Sequence, residues 1–381
     1  MTETAGGRWV SRLARRMGHR LDLAFFTENV GKPLSRPGWS VARVGLLVVS
    51  LVLFAVVLGC VGLGLWWVVA DFPSWLLVPG LLMMLLGWAL LPRLGRVDEW
   101  GAVAPADAPR LRALVDSVCA AVECAVPDVV IVDSRFNASA GVVGWRRRKV
   151  LRIGLPLWGA LEPAERVALL GHEVGHFVNN DPIRGLLTRP ALTVFGPLAE
   201  AVRPHPDMAN AGYALDFVIK AVLIVVSPVL WAVSWALSAI HLGLLAVASR
   251  DHQRAEYAAD VLAARVAGTD GVVGLVDTLV MGESIVMAIR GAELSAEPGA
   301  ASWRVAATRV RQGADVKVAR QVSVREDASL WSSHPPAGYR ARMIEALPAH
   351  EALVTLSEED LAAIDREVAA WYKRAGRDIS T

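Results

Sequence analysis

Cysteine is scarce in this sequence: only three occur among 381 residues, Cys60, Cys119 and Cys124. This number excludes the disulfide framework that stabilises small secreted proteins. Cys60 lies inside an apolar run, and Cys119 and Cys124 are five residues apart on a predicted amphipathic helix, so they do not share a face. The paired spacing of cysteine zinc sites is absent as well. We predict three buried, unpaired thiols.

The sequence also lacks an excess of charge of either sign. Its 39 lysines and arginines are almost balanced by 37 aspartates and glutamates, and a net charge of +2 gives no strong attraction to nucleic acid. No internal repeat or low-complexity stretch occurs. Lysine is rare and arginine far outnumbers it in a chain rich in alanine, valine and glycine, which indicates a GC-rich bacterial genome.

Long apolar runs, in contrast, are abundant, and the hydrophobic content reaches 54%. The uncharged run Val44–Ala70 exceeds the roughly 20 helical residues that cross a bilayer. It is too long and too far from the N-terminus for a cleavable signal peptide. A second run, Phe72–Pro92, follows a short turn. Arginines flank this predicted hairpin at both ends, so we expect both ends in the cytoplasm.

Two further stretches are candidates for the membrane. Phe217–Ala248 is strongly apolar, with Ser227-Pro228 in its middle. The weaker stretch Gly185–Val202 contains Arg189 and Pro190, and it either spans the membrane or lies there as an amphipathic or re-entrant segment.

Between the membrane segments, Pro105 to about Asp181 has the pattern of a soluble α/β structure. A short buried strand is predicted at Val129–Val132, and a hairpin at Phe136–Val143 and Lys149–Ile153. A helix is then predicted from Pro163 to Phe177, because proline suits the first turn of a helix.

This last helix contains the sequence His172-Glu173-Val174-Gly175-His176. Residues four apart lie on one helix face, so His172 and His176 can bind one zinc ion. Glu173 lies beside them and can take a proton from a metal-bound water. The alternative is that His172 and His176 are two histidines on a helix face near the solvent-exposed surface and bind no metal.

A catalytic zinc ion needs a third protein ligand, and Glu256 is the best candidate. Asp260 follows one turn later on the same helix face and could hydrogen-bond a ligating histidine. An ordinary charged amphipathic helix is the alternative for this segment. Glu256 can join His172 only if the chain between them crosses the membrane an even number of times. Either Gly185–Val202 and Phe217–Ala248 both span, or the longer run folds back at Ser227-Pro228.

At these positions the sequence resembles the integral-membrane zinc metallopeptidases that include the HtpX heat-shock protease and the CAAX prenyl protein endopeptidase. Four motifs in the same order carry the resemblance, over roughly residues 100 to 345. They are Asn137-Ala138-Ser139-Ala140-Gly141, the catalytic helix continuing to Asn180-Asp181, Glu256 through Asp260, and Ser333-His334-Pro335-Pro336 with Arg340.

The resemblance implies that the strand beginning at Asn137 borders the active site and that Glu256 is the third ligand. It also implies that His334 helps to stabilise the oxyanion, with Arg340 positioning His334 or the C-terminal part of the site. The strand could bind the substrate backbone by strand addition. Asp181 could cap the segment after the catalytic helix, and no chemistry is expected of it.

We therefore expect a mostly α multi-pass membrane protein with a small α+β, gluzincin-like zinc peptidase domain. With one Zn²⁺ ion it would hydrolyse membrane or misfolded polypeptides at the plasma membrane of a bacterium, with its active site facing the cytoplasm. The lipid bilayer and polypeptide substrates are the expected partners, nucleic acid is not, and the oligomeric state stays open. The alternative function is a non-catalytic membrane scaffold or regulator with a vestigial metal site. The expected segments are a basic cytoplasmic segment (1–43), a transmembrane hairpin (44–92), the first catalytic part (93–184), membrane-associated segments (185–248) and the second catalytic part (249–381).

Overall fold

A computed structural model describes residues 5–34, 38, 40–70, 72–90, 101–144, 146–204, 216–294 and 298–380. These residues are mostly helical, with one small four-stranded sheet. They form two compact units, which are described separately. The first unit comprises Met1–Met17, Trp39–Arg93 and Arg184–Ser249, and the second comprises Gly18–Gly38, Leu94–Ile183 and Arg250–Thr381.

The elements follow one another in a simple order along the chain. The strands are β1 (Ala102–Val103), β2 (Val129–Asp133), β3 (Ala138–Val143) and β4 (Arg148–Gly154). The helices are α1 (Ala5–Asn29), α2 (Val41–Ala70), α3 (Leu77–Leu90), α4 (Pro109–Ala121), α5 (Leu155–Ala160), α6 (Pro163–Val178), α7 (Asp181–Thr193), α8 (Phe195–Ala201), α9 (Asp216–Ala267), α10 (Thr269–Val280), α11 (Gly282–Glu293), α12 (Ala300–Gly313), α13 (Val316–Glu326), α14 (Ala337–Glu345), α15 (Glu358–Glu367) and α16 (Ala369–Ser380).

The first unit contains the helices that are long and apolar enough to cross a membrane. Among the described residues these are α2, with 30 residues, and the part of α9 that begins at Val226, which continues beyond Ser249 into the second unit. Helix α3 is apolar but shorter, and the end of the predicted run, residues 91 and 92, lies outside the described residues. Helices α2 and α3 approach closely at glycines. A Cβ atom added to Gly64 would lie 2.7 Å from the carbonyl oxygen of Gly80, so this packing requires a small residue.

The third apolar run is one continuous helix. Helix α9 passes through Ser227 and Pro228 without a break and continues to Ala267. The predicted alternative that this run folds back at Ser227-Pro228 is therefore wrong. A proline inside a helix removes one hydrogen bond and bends the axis, but neighbouring turns can still continue the helix. The weaker stretch 185–202 forms α7 and α8, which are separated at Val194.

The second unit is built around the four-stranded sheet, whose strand order is β1-β2-β4-β3. The predicted hairpin is present, since β3 pairs with β4 in antiparallel register, and β2 runs parallel to β4. Strand β3 pairs with β4 alone among the described strands, so it forms one edge of the sheet. Gly154 ends β4 where a Cβ atom would lie 1.8 Å from the carbonyl oxygen of Arg135, so only glycine fits there.

Helices α10 to α12 contribute to the core of the second unit. Helices α10 to α12 supply Leu275, Ile285 and Trp303, which are fully buried. Helices α10 and α11 are long and apolar enough to cross a membrane only if the two form a single span, and the chain bends by 75° between them. Their apolar faces instead pack into this core.

Ion pairs connect the downstream helices to the start of α6. Arg311 contacts Glu165 at 2.8 Å, and Arg166 contacts Asp365 of α15 at 2.7 Å. The cysteines are unpaired as predicted, but only Cys119 is fully buried.

Candidate metal centre

Helix α6 carries the predicted motif and begins where the sequence indicated. Pro163 is its first residue, and the side chain of Glu165 accepts a hydrogen bond from the backbone nitrogen of Glu162 at 3.0 Å. The helix ends at Val178, one residue beyond the prediction. His172 is buried and His176 is half-buried. Their ring centroids are 4.9 Å apart and the ring planes are nearly perpendicular, so both side chains lie on the same face of α6.

Small residues bring α6 close to α9. A Cβ atom added to Gly171 would lie 3.1 Å from Cα of Ala263, and one added to Gly175 would lie 3.0 Å from Cα of Ala259. The two glycines precede the two histidines and recur at the same spacing of four. They therefore form a smooth stripe beside the imidazoles, and the helix backbones can approach until Glu256 reaches the histidines.

The three predicted ligands converge. The Nε2 atoms of His172 and His176 are 3.3 Å apart. Oε2 of Glu256 lies 3.6 Å from Nε2 of His172, and its Oε1 lies 3.5 Å from Nε2 of His176. Zinc bonds of about 2.1 Å in tetrahedral geometry place ligand atoms about 3.4 Å apart. The site thus has the donor types and the spacing that a catalytic zinc ion needs.

The opposite edge of the His172 ring faces Asp260, as predicted. Nδ1 of His172 lies 2.9 Å from Oδ1 of Asp260. Arg340 donates two hydrogen bonds to the same carboxylate, at 2.6 and 2.8 Å. Burial alone would raise the pKa of the Asp260 carboxyl, but Arg340 and His172 hold it below its usual value of 3.8. Asp260 therefore stays ionised and accepts a hydrogen bond from the Nδ1–H group of His172, which leaves Nε2 as the metal-binding atom.

His176 has a carboxylate partner that the sequence reasoning did not assign. Its Nδ1 lies 3.1 Å from Oδ2 of Asp181, which had been expected only to cap the next segment. Asp181 is five residues downstream and would not share a helix face with His176. It reaches the ring because Asn180 adopts a left-handed backbone conformation, with φ of 56°. The left-handed tendency of asparagine was the one available signal.

Protons and metal compete for His176. Burial disfavours its charged form, but the hydrogen bond with Asp181 and the carboxylates of Glu256 and Glu173 raise its pKa from 6.5 to about 9. Burial also raises the pKa of Glu256, yet His334 and the two ligand histidines hold it well below 4.5. The acidic site therefore attracts a cation, and a proton must leave His176 before this ring binds a metal.

Glu173 is buried beside the ligands. It directly follows the ligand His172 in α6, and its negative charge contributes to the raised pKa of His176. Among the described residues, no group donates a hydrogen bond to the Glu173 carboxylate. Its oxygens are therefore available to a water molecule or a substrate at the site.

His334 also lies at the centre. Its Nδ1 is 2.5 Å from Oε2 of Glu256, and its ring centroid is 5.9 Å from that of His172. Arg340, which was expected to position either His334 or the C-terminal part of the site, contacts Asp260 and His172. Asn137 is exposed immediately before edge strand β3, and its carbonyl oxygen accepts a hydrogen bond from Gly154 at 2.8 Å. The structure shows no contact between Asn137 and the three ligands.

A helix with two histidines and a buried glutamate, completed by a distant carboxylate, is the arrangement of a metallopeptidase. The model of peptidase family M48 matches residues 105–347, which is more than half of the chain and contains every site residue described above. The chain belongs to peptidase family M48, the family of HtpX-type and CAAX-protease-type zinc metallopeptidases, as the resemblance indicated. Comparison with curated proteins and with solved structures finds no match for the chain.

Proposed function

We propose that this chain is a membrane-embedded zinc endopeptidase that hydrolyses peptide bonds of membrane or misfolded proteins. The observation that carries the proposal is the convergence of His172, His176 and Glu256, whose ligand atoms all lie within 4.8 Å of one another. Membership of the M48 family supports a peptidase reaction at this cluster. Three protein ligands leave the fourth position of a tetrahedral site open to water and substrate, as catalysis requires.

When bound, zinc lowers the pKa of a water molecule towards neutrality and polarises the carbonyl group of the substrate. Glu173 accepts the proton of the attacking water and then donates it to the leaving amine. Asp260 and Asp181 keep the proton of each imidazole on Nδ1, so that Nε2 faces the metal. Arg340 keeps Asp260 ionised. We propose that His334 donates to the developing oxyanion from Nε2, while its Nδ1 contacts Glu256.

An extended polypeptide fits the edge of the sheet. Strand β3 offers backbone groups along the side that no other described strand occupies, and it contacts the region of α6. A substrate strand would pair with these groups by backbone hydrogen bonds, which do not depend on side-chain identity. Such pairing suits varied substrates, including unfolded segments. We also propose that this domain is a gluzincin-like zinc peptidase domain.

The proposed topology is multi-pass, with the site on the cytoplasmic face of a bacterial plasma membrane. Leu94–Ile183 and Arg250–Thr381 belong to one compact unit, which supports an even number of membrane crossings in the chain between them. Because α9 is one continuous helix and can supply only one crossing, we assign the second crossing to α7 and α8. Their span, Asp181 to Ala201, would measure about 30 Å at 1.5 Å per helical residue.

A non-catalytic scaffold with a vestigial metal site is the competing function. Structural zinc sites use four cysteine or histidine ligands, whereas the candidate ligand cluster among the described residues consists of two histidines and a glutamate. Burying a glutamate whose carboxylate accepts no hydrogen bond from the described residues costs folding free energy, and a merely structural metal site would gain nothing from it. Glu173 is therefore the residue that separates the two functions.

The test is cleavage of casein by the purified full chain in detergent. We expect cleavage by the wild type, inhibition by a zinc chelator, and a loss of at least about a hundredfold in Glu173→Gln, since general base catalysis contributes about that much. Glu351→Gln, on the exposed surface, is the matched control and should cleave like the wild type. Cleavage by Glu173→Gln at the wild-type rate would contradict the proposed function.

A further inference from the structure

The second half of helix α1 belongs to the same compact unit as the metal centre. Residues Gly18–Gly38 cluster with the peptidase unit, although α1 precedes the first apolar helix. Its position at the N-terminus and its basic sequence suggested no relation to the site. The described contacts of Gly18–Asn29 include three elements that each carry a residue of the metal centre.

The first contact is with the loop that carries His334. A Cβ atom added to Gly18 would lie 2.6 Å from Cα of Ser329 and 2.8 Å from the backbone nitrogen of Leu330. Helix α1 therefore lies directly on the backbone of this loop. Only glycine permits that distance, because any side chain would collide with main-chain atoms that cannot rotate away.

The second contact is with α9, just before and after Glu256. The buried side chain of Gln253 donates a hydrogen bond to the buried carboxylate of Asp22. Phe25 stacks on Tyr257 with ring centroids 5.4 Å apart and planes within 6°. Tyr257 is adjacent to Glu256 in sequence, and it is almost fully buried. A shift of Phe25 would therefore be transmitted to the backbone that bears the third ligand.

The third contact is with α14. Phe26 stacks on Tyr339 with ring centroids 4.6 Å apart, and Tyr339 immediately precedes Arg340. Phe25, Tyr257, Tyr339 and Met343 form a buried cluster separate from the main core of the unit. This cluster lies between α1, α9 and α14. It has no member from α6, which supplies the two histidine ligands and Glu173.

We propose that the Gly18–Asn29 segment of α1 is a positioning element for the third zinc ligand, with Phe25 as its principal residue. The segment holds the downstream half of the site, Glu256 with His334 and Arg340, against the histidines of α6. Phe25 touches neither substrate nor metal and acts through Tyr257. This inference rests on the proposed function, because it takes Glu256 to be a zinc ligand.

The contact of Phe25 with Tyr257 is separate from the glycine contacts that join α6 to α9, so the role of Phe25 can be isolated. Helix α6 is fixed against α9 by the Gly171 and Gly175 contacts. Removal of the Phe25 ring would leave a cavity beside Tyr257 and let the turn around Glu256 move. The histidine pair would keep its own geometry. The loss in zinc affinity should then depend on the presence of the Glu256 carboxylate.

A double-mutant cycle on the full chain tests this dependence, with zinc affinity measured by competition with a chelator. We expect Phe25→Ala to weaken zinc binding by about tenfold, as is typical when the support of a ligand is lost. In a Glu256→Gln background the same change should weaken binding by less than about twofold, because the supported ligand is gone. Leu23→Ala, on the exposed side of the same helix, should bind zinc like the wild type.

Equal loss from Phe25→Ala in both backgrounds would overturn the proposal, since it would indicate general destabilisation. Unchanged zinc affinity in Phe25→Ala would overturn it as well. If the alanine variant does not fold, Phe25→Leu is carried through the same cycle, with the same dependence expected. A wild type that binds zinc but cleaves no casein would contradict the peptidase function alone. A wild type that binds no zinc would contradict both proposals.

Discussion

Asp260 and His172 lie 2.9 Å apart, between Oδ1 of the carboxylate and Nδ1 of the ring. Asp260 is fully buried and also accepts both hydrogen bonds of the Arg340 guanidinium. A buried carboxylate shared between a cation and an imidazole fixes the ring and its tautomer together. The tautomer of His172, and with it the choice of Nε2 as the metal-binding atom, thus depends on Arg340, which lies 168 positions downstream.

The first prediction concerns this arginine. Arg340→Lys should weaken zinc binding by about 10- to 100-fold, because lysine cannot donate two hydrogen bonds in the planar geometry that Asp260 accepts. Arg342→Lys, two residues away and exposed, is the matched control and should have no effect. Chelator competition measures both affinities. Equal zinc affinity in the two variants would show that Arg340 does not support the site.

The second prediction concerns the close approach of α6 and α9. Gly175→Ala should destabilise the protein by about 1–3 kcal/mol, since the added methyl group would lie 3.0 Å from Cα of Ala259. It should also weaken zinc binding by moving Glu256 away from the histidines. Gly291→Ala, in α11, meets nothing within 4 Å and should stabilise the protein by about 0.5 kcal/mol. Urea unfolding of both variants gives the comparison, and similar results for the two glycines would contradict the packing argument.

The third prediction is a pH dependence of stability at Asp22. Burial raises the pKa of Asp22 from 3.8 to about 7, although the hydrogen bond from Gln253 lowers it. The folded state then binds a proton that the unfolded state has already released. Stability from this group is complete below pH 3.8 and is lost as the pH rises through 7.

Asp22→Asn should remove this loss, because its amide has no charge to bury. The variant should therefore be more stable than the wild type at pH 8, and the difference should shrink towards pH 4. Thermal unfolding across this pH range measures it. A difference of the same size at both pH values would show that Asp22 does not titrate between them.

The fourth prediction concerns topology. Single cysteines placed at Glu28, Asp107 and Glu351, in a background without the three native cysteines, should react with an impermeant thiol reagent from the same side of the membrane. All three positions are exposed and belong to the peptidase unit. A cysteine at Trp75, exposed in the turn between α2 and α3, should react from the opposite side. Labelling of Asp107→Cys and Glu351→Cys from opposite sides would exclude the even number of crossings.

Local periodicity predicted the parts of this protein that depend on nearby residues. The α6 helix, the β3–β4 hairpin and the apolar runs each follow from patterns within about 30 residues. The convergence of Glu256 on the histidines could be proposed because a zinc ion needs a third ligand and the chain offers a suitable helix. The backbone at Pro228 was less predictable, since proline can either break a helix or bend it.

Two contacts that support the ligands, one between residues close in sequence and one between distant residues, could not be predicted in the same way. The pairing of Asp181 with His176 depends on the backbone conformation of Asn180, which helical spacing does not show. The docking of Phe25 on Tyr257 joins residues 232 positions apart, which the sequence pattern of α1 does not indicate. In both contacts the supporting residue does not bind the metal itself, so a search of the sequence for metal ligands would not identify it.

The central claim is that one zinc ion is held jointly by α6 and by Glu256. Its most direct test is the zinc content of the purified chain after equilibration with free zinc buffered between the affinities of a three-ligand and a two-ligand site. We expect one zinc per chain in the wild type and a large loss of zinc in Glu256→Gln, which keeps the size of the side chain. Equal zinc in the two proteins would contradict it.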